Sequence, residues 1–274
     1  MKYELTDETK IFFGRTLHRI KATKDFEDVR AGELGGWIEK EENLSQDGNC
    51  WVDGNAWVSG NASVWGNARV GGSALVGGSA QVSGSAQVGG SAQVSGSAQV
   101  GGDAWVDGDA WVDGNARVDG NAWVSGSASV WGNASVWGNA RVSGSAQVGG
   151  SALVGGSAQV GGNARVSDSA RVGGNAWVGG NARVWGSAWV SGNASVWGKN
   201  HVLRISPIGS RDDTVTFMRT KDHKIAVSVG CFYGSVDEFE RAVLETHGNN
   251  EHAQAYKLAI ELAKLRIDLK GDIL

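Results

Sequence analysis

The chain has 274 residues and a formal net charge of −4, thinly spread: 8 Lys/Arg against 11 Asp/Glu in residues 1–47, 6 against 7 in 48–197, and 11 against 11 in 198–274. A nucleic-acid binder shows a basic stripe and a nucleic-acid mimic a dense acidic one, so no nucleic-acid partner is expected. Two cysteines (Cys50, Cys231) make no disulfide framework, no apolar run approaches the roughly 18 residues of a membrane span, and Met1-Lys2-Tyr3-Glu4 opens no signal peptide, so a cytosolic protein with no membrane partner is expected.

Residues 1–47 read as a capping segment. Ile11-Phe12-Phe13 and Leu17-His18-Arg19-Ile20 are short strand candidates around Gly14, and Asp25–Val29 leads through Gly32, Gly35 and Gly36 to Trp37-Ile38. Leu44 occupies the slot that Ala takes in the repeats after Gly48, so the first coil is expected to begin before Gly48.

From Gly48 to about residue 200 a hexad, Gly-Asn/Ser-Ala-x-Val-x, repeats about 25 times, with one lapse where Asp168 takes a Gly slot. Ala at the third position and Val at the fifth alternate with polar or aromatic residues, the period of a strand with one buried face. Gly and Asn/Ser interrupt the strand where the chain must turn, because both tolerate positive φ. Each hexad is thus one short strand and one corner. Three hexads close a coil of about 18 residues, and coils stack as parallel sheets about 4.8 Å apart. The expected fold is mainly β: a triangular parallel β-helix of eight or so coils, about 40 Å long, with an N-terminal cap and a small C-terminal α+β domain.

An 18-residue coil fixes which outward residues stack. One ladder runs Trp51, Arg69, Gln87, Trp105, Trp123, Arg141, Gln159, Trp177; a second runs Trp57, Leu75, Gln93, Trp111, Ser129, Gln147, Arg165, Arg183; a third runs from Ser63 to Arg171 and Trp189. Bare indoles on a rod mark protein contact more often than ligand stacking. Trp51, Trp57, Trp105, Trp111, Trp123, Trp177 and Trp189 are therefore expected at an interface between copies, with a glycan-stacking platform as the alternative. The coil bearing Asp103, Asp107, Asp109, Asp113 and Asp119 reads as a solvated acidic belt in preference to a cation site, and no metal is expected.

Residues 201–274 read as an α+β domain. His201–Ile205, Thr214–Met218 and Lys224–Val229 are strand candidates, with Pro207 ending the first. Ser235-Val236-Asp237-Glu238 is a capping box opening a helix closed by His247-Gly248. A second helix, Glu251 to about Leu269, is amphipathic through Ala255, Leu258, Ala259, Leu262, Leu265 and Ile267. The candidate ligand site lies on two turns of this domain, with Gly209, Ser210, Arg211 and Thr214 on one and Gly230, Cys231 and Gly234 before the helix; Arg219 completes the set. An Arg fork and a helix N-terminus are two ways of meeting an anion. Cys231 with His247 or His223 reads less well as a nucleophile–base pair than as a buried small hydrophobe.

The hexads resemble the hexapeptide-repeat, left-handed parallel β-helix proteins, and the handedness comes from that resemblance. Asp25–Val52 (DFEDVRAGELGGWIEKEENLSQDGNCWV) resembles the opening of YdcK-type proteins and of phage and prophage hexapeptide-repeat proteins. The resemblance implies a homotrimer with parallel axes, and a phage-type assembly and binding protein that presents its C-terminal head to a host protein or small anionic ligand, antagonism of a host defence system being one such role. It also implies CoA-dependent acyl transfer as the alternative. That chemistry needs a general base, nearly always His in the resembled enzymes. The five histidines are His18, His201, His223, His247 and His252, all outside Gly48–Asn200. The expectation is a binding protein without catalytic residues or cofactor.

Overall fold

The computed structural model describes residues 1–270. Among them, 25 two-residue rungs run from Trp51-Val52 to Ser195-Val196, one per hexad, and form three parallel sheets. Each rung pairs with the rung 18 residues on, so Trp105 lies beside Gln87 and Trp123, and Val106 beside Val88 and Val124. All three outward ladders have the register that the period dictates. The pairing reaches further upstream than Gly48: Trp37-Ile38 already pairs in parallel with Trp57-Val58, and Leu44 bridges Val64. With these rungs the rod has about nine coils of about 18 residues.

Inside the rod, the hexad Val and Ala columns are buried throughout. Burial of a Val side chain is worth roughly 1.5 kcal/mol or more, and Ala on the other inward slot leaves room for three walls to meet. Glycine is required at the corners for two reasons. The corner residue has positive φ, and the next coil lies too close for a side chain: a Cβ on Gly96 would stand 2.7 Å from Gly114 N and 2.8 Å from Gly114 O. The slot after it carries Asn because its amide reaches the same slot one coil on, as in Asn115 Nδ2 to Asn133 Oδ1 at 3.1 Å.

At the N-terminal end a hairpin of Tyr3–Phe12 and Arg15–Ala22 turns at Phe13-Gly14, both at positive φ, and feeds the strand Leu34–Ile38. Both hairpin strands are longer than the apolar clusters suggest. The cap corrects one expectation: Trp51 is 1% exposed, because Tyr3 and Phe26 set their rings edge-on to it at 6.4 and 5.5 Å. It is an outward ladder residue covered by the cap, and no interface residue. Trp57 is half-covered by Phe12.

The C-terminal head has four antiparallel strands, Val202–Ile208, Asp213–Arg219, Ile225–Val229 and Phe232–Ser235, where the sequence suggested three. Phe232–Ser235 escapes a hydrophobic-run reading because it is short and half polar. Pro207 does not end the first strand; the register shifts between Ile205 and Ile208 and the strand continues past it. Helix α1 (Val236–His247) is capped by Ser235 as expected, and α2 spans Glu251–Arg266. The buried face of α2 is Ala253, Tyr256, Ala259, Ile260 and Ala263, while Leu258, Leu262 and Leu265 are exposed. The Asn250 cap and the packing of Tyr256 on Phe239 set that rotation, so small residues and one aromatic ring, not the leucines, meet the sheet.

The sheet is two-faced. Val215, Phe217, Ile225 and Val227 face the helices, while Met218 and Ala226 join the rod's own core. Thr216 Oγ1 accepts the Trp189 N–H (3.1 Å), and Lys221 N–H donates to Asn193 O (3.1 Å). The head therefore closes the rod's last coil.

Candidate anion-binding groove

Four of the sequence-predicted residues share one cleft. Ser210, Arg211, Gly230 and Cys231 line a hollow of about 270 Å³ together with His247 and Tyr256. Gly209 lies beneath the Tyr256 ring at φ +75°, where any Cβ would strike the phenol. Asp213 also lines this cleft, and Gly230 packs near its carboxylate. That charge opposes an anion there. Burial, and then Asp213, pushes the Tyr256 phenol up from its usual pKa, which keeps it neutral.

The rest of the set goes elsewhere. Thr214 donates to Ser206 Oγ (3.0 Å) and faces the rod side with Asp213 and Arg171. Arg219 is fully buried beside His223 (Nη2 to Nδ1, 3.2 Å), because alternate residues of its strand face the helices, so it is no surface ligand. Gly234 belongs to the fourth strand and pairs with Val227. The glycine turn is only Gly230-Cys231, and it does not open the helix. Helix α1 starts after Ser235, whose N–H is already taken by Glu238 Oε2 at 2.8 Å, leaving a carboxylate where an anion would sit. Cys231 is exposed on its turn and not the buried hydrophobe expected, because it sits in the two-residue turn between the last two strands; among the described residues no hydrogen bond joins it to a histidine, and no three His, Cys, Asp or Glu cluster as metal ligands. Asp107, Asp113 and Asp119, six apart, lie on successive corners of one coil and face three directions.

A larger groove, about 1070 Å³, lies where the rod meets the head. Its origin is a missing rung. Arg165 pairs with Arg183 on one face, and the next rung there would fall at residue 201. The chain instead makes a 3-10 turn, Lys199–His201, and turns away into the first head strand. Arg165 and Arg183 lie on the rod side, Lys199 and Arg204 on the head side, and Trp185 and Trp197 contribute indoles; among the described residues no Asp or Glu lines the groove. Arg204 lies over Trp185 (5.9 Å) and against the Gly186 corner, where a Cβ would stand 2.6 Å from its Nη1. Among the described residues none of these four cations makes an ion pair.

Backbone polarity adds to the side chains. On either side of each rung Val, the N–H points toward the following coil: Arg165 N–H donates to Ala182 O and Ser167 N–H to Val184 O, both at 2.9 Å. Where the following rung is missing, the Arg183 and Trp185 N–H groups meet no acceptor among the described residues. Unengaged backbone N–H groups beside guanidinium forks can meet an anion by the same physics as a nest. His201 contributes orientation: its Nδ1 accepts the Trp197 N–H at 3.1 Å, which places its proton on Nε2. The sequence carried one signal for this groove: the only ladder with two successive arginines ends where the hexads decay.

The fold places the chain among β-solenoid proteins built of hexads, and its repeats are YdcK-like. The sequence pattern of the YdcK beta solenoid repeat matches residues 132–150, 158–174 and 176–192. A 59-residue stretch is 42% identical to the "Uncharacterized acetyltransferase YdcK" of Escherichia coli (strain K12), covering 19% of this chain and 18% of that protein. The match thus spans less than a fifth of the relative's length. The crystal structure of a UDP-N-acetylglucosamine acyltransferase superposes over 80% of this chain and 93% of its own, with 12% identity and a TM-score of 0.48. No helix among the described residues is long and apolar enough to cross a membrane.

Proposed function

We propose that this chain is a non-catalytic binding protein whose rod–head junction holds a small anionic ligand. The observation that carries the reading is the groove itself: Arg165, Arg183, Lys199 and Arg204 face it, and among the described residues no carboxylate lines it. Acyl transfer would need a general base at the groove. The histidine there, His201, already accepts the Trp197 N–H at Nδ1 (3.1 Å), so that nitrogen is not open to take a substrate proton. The rod is the spacer, and its exposed Trp105, Trp111, Trp123 and Trp177 are the surface through which three copies associate side by side. The host component implied by the prophage resemblance would be met through the groove, as the bearer or the source of the anion.

Titration calorimetry with inorganic tripolyphosphate tests the binding. Wild-type protein should bind it, and the Arg165→Ala/Arg183→Ala double variant should bind at least about tenfold more weakly at unchanged melting temperature, two guanidinium contacts being removed. Transfer of acetyl from acetyl-CoA to an amine or alcohol acceptor would overturn the non-catalytic reading. Sedimentation at micromolar concentration should give the trimer mass, and a monomer would reject the role given to the indoles.

A further inference from the structure

We infer that the groove is a nucleotide site, taking a nucleoside di- or triphosphate with its base on Trp185 and its phosphates between Arg165, Arg183 and Lys199. This rests on the anion-binding reading and goes beyond it by naming the ligand's aromatic half. Trp185 is 60% exposed, the highest value of any tryptophan in the described rod, and it stands within the cationic wall. An indole presented there, with an Arg204 guanidinium over its ring, is a stacking platform beside phosphate partners.

Charge and size narrow the class. Four cations and two unengaged backbone N–H groups match a ligand carrying about three or four negative charges, which is a di- or triphosphate and not a monophosphate. A groove of about 1070 Å³ stands at the upper end of small-ligand sites and admits a nucleotide of one or two bases. A nucleic-acid strand fits poorly, because residues 48–197 carry 6 Arg against 7 Asp and offer no cationic track beyond the groove. A neutral glycan would use the indole but leave the four cations without counter-charge.

Calorimetry with ATP, tripolyphosphate and adenosine separates the two halves. ATP should bind at least about tenfold more tightly than tripolyphosphate, the gain that stacking one base supplies. Trp185→Ala, a change at an exposed side chain, should erase that ratio while leaving tripolyphosphate affinity within about twofold. The Arg165→Ala/Arg183→Ala variant should weaken both ligands. If tripolyphosphate binds and ATP gains nothing over it, or if Trp185→Ala leaves the ratio intact, the nucleotide inference is overturned while the anion site stands. If neither binds, both fall. A sulfated oligosaccharide that binds more tightly than ATP would overturn the assignment of the ligand class.

Discussion

Gly173 and Gly174 are adjacent, chemically identical and predicted to respond oppositely to alanine. Gly174 is a corner residue at φ +61°, and a Cβ there would stand 2.8 Å from Gly192 N and 3.2 Å from Gly192 Cα and O. The left-handed conformation costs an alanine about 1–2 kcal/mol, and wedging two coils apart costs about 1–3 more. The coil cannot move away freely, because Asn175 N–H donates to Gly192 O at 2.9 Å. Gly174→Ala should therefore destabilise the rod by about 2–5 kcal/mol. Gly173 has no atom within 4 Å of its added Cβ and no left-handed φ, and its slot holds Ser in other hexads (Ser143, Ser167). Gly173→Ala should be neutral or stabilising by about 0.4–1 kcal/mol, because the unfolded chain loses freedom. Urea unfolding followed by tryptophan fluorescence reads both. Equal effects at the two positions, or Gly174→Ala within about 0.5 kcal/mol of wild type, would refute the corner geometry. Asp168 is the natural control: at φ 58° its Oδ2 accepts the Gly186 N–H (2.9 Å), offsetting the strain, so Asp168→Gly should change little.

Val112→Asp should cost at least about 3 kcal/mol, since a carboxylate would replace a fully buried side chain between Val94 and Val130 with no partner; an unchanged urea midpoint would count against the prism. Glu39 accepts the Gly60 N–H (2.6 Å) and pairs with Arg15, and these bonds, Gly60 first, hold its carboxyl below the usual 4.5. Its stabilisation is complete above that value and is lost as pH falls through the lowered one, so Glu39→Gln should flatten the decline of melting temperature between about pH 5 and 3. Deleting Gly84–Gly101 removes one whole coil and stacks Arg69 on Trp105 in the same register; X-ray scattering should show a rod about 4.8 Å shorter, with tripolyphosphate binding retained. Loss of binding on that deletion would make the rod surface, and not the junction, the working element.

The rod was legible almost residue by residue because each hexad must bury its Val and Ala against identical neighbours, so one period fixes interior, corners and ladders together. The places that escaped are those where non-repetitive segments meet it. Trp51 occupies a ladder slot like Trp105, and nothing local reveals that Tyr3 and Phe26 fold back over it. The α2 leucines recur at 258, 262 and 265 with helical spacing, yet contact with Phe239 and the sheet chose the neighbouring face. Arg211 and Cys231 were legible as turn residues and do share a cleft, but Asp213 in the same turn supplies the opposing charge. The junction groove depends on the chain leaving the Arg165–Arg183 ladder at residue 201, and a missing rung leaves no motif.

The polarity of the rod supports the anion proposed for this end. The N–H groups on either side of each Val donate to carbonyls of the following coil, while the Val N–H points back as parallel pairing requires, so the first coil is left mostly with carbonyl oxygens and the last mostly with N–H donors. The cap answers with donors: Lys2 Nζ reaches Cys50 O at 2.8 Å, and Tyr3 Oη donates to Leu44 O at 2.7 Å. The head answers with acceptors on two of the three faces, Thr216 Oγ1 for Trp189 N–H and His201 Nδ1 for Trp197 N–H. On the third face, above Arg183 and Trp185, the chain supplies guanidinium and ammonium groups where an acceptor is needed. A capping segment there would carry an Asp, a Ser or a carbonyl; cations instead leave the acceptor to come from solution. On the binding reading proposed above, an anion completes that face of the rod, which ties ligand binding to the stability of the last coil. Tripolyphosphate should accordingly raise the melting temperature of wild-type protein and leave that of the Arg165→Ala/Arg183→Ala variant unmoved.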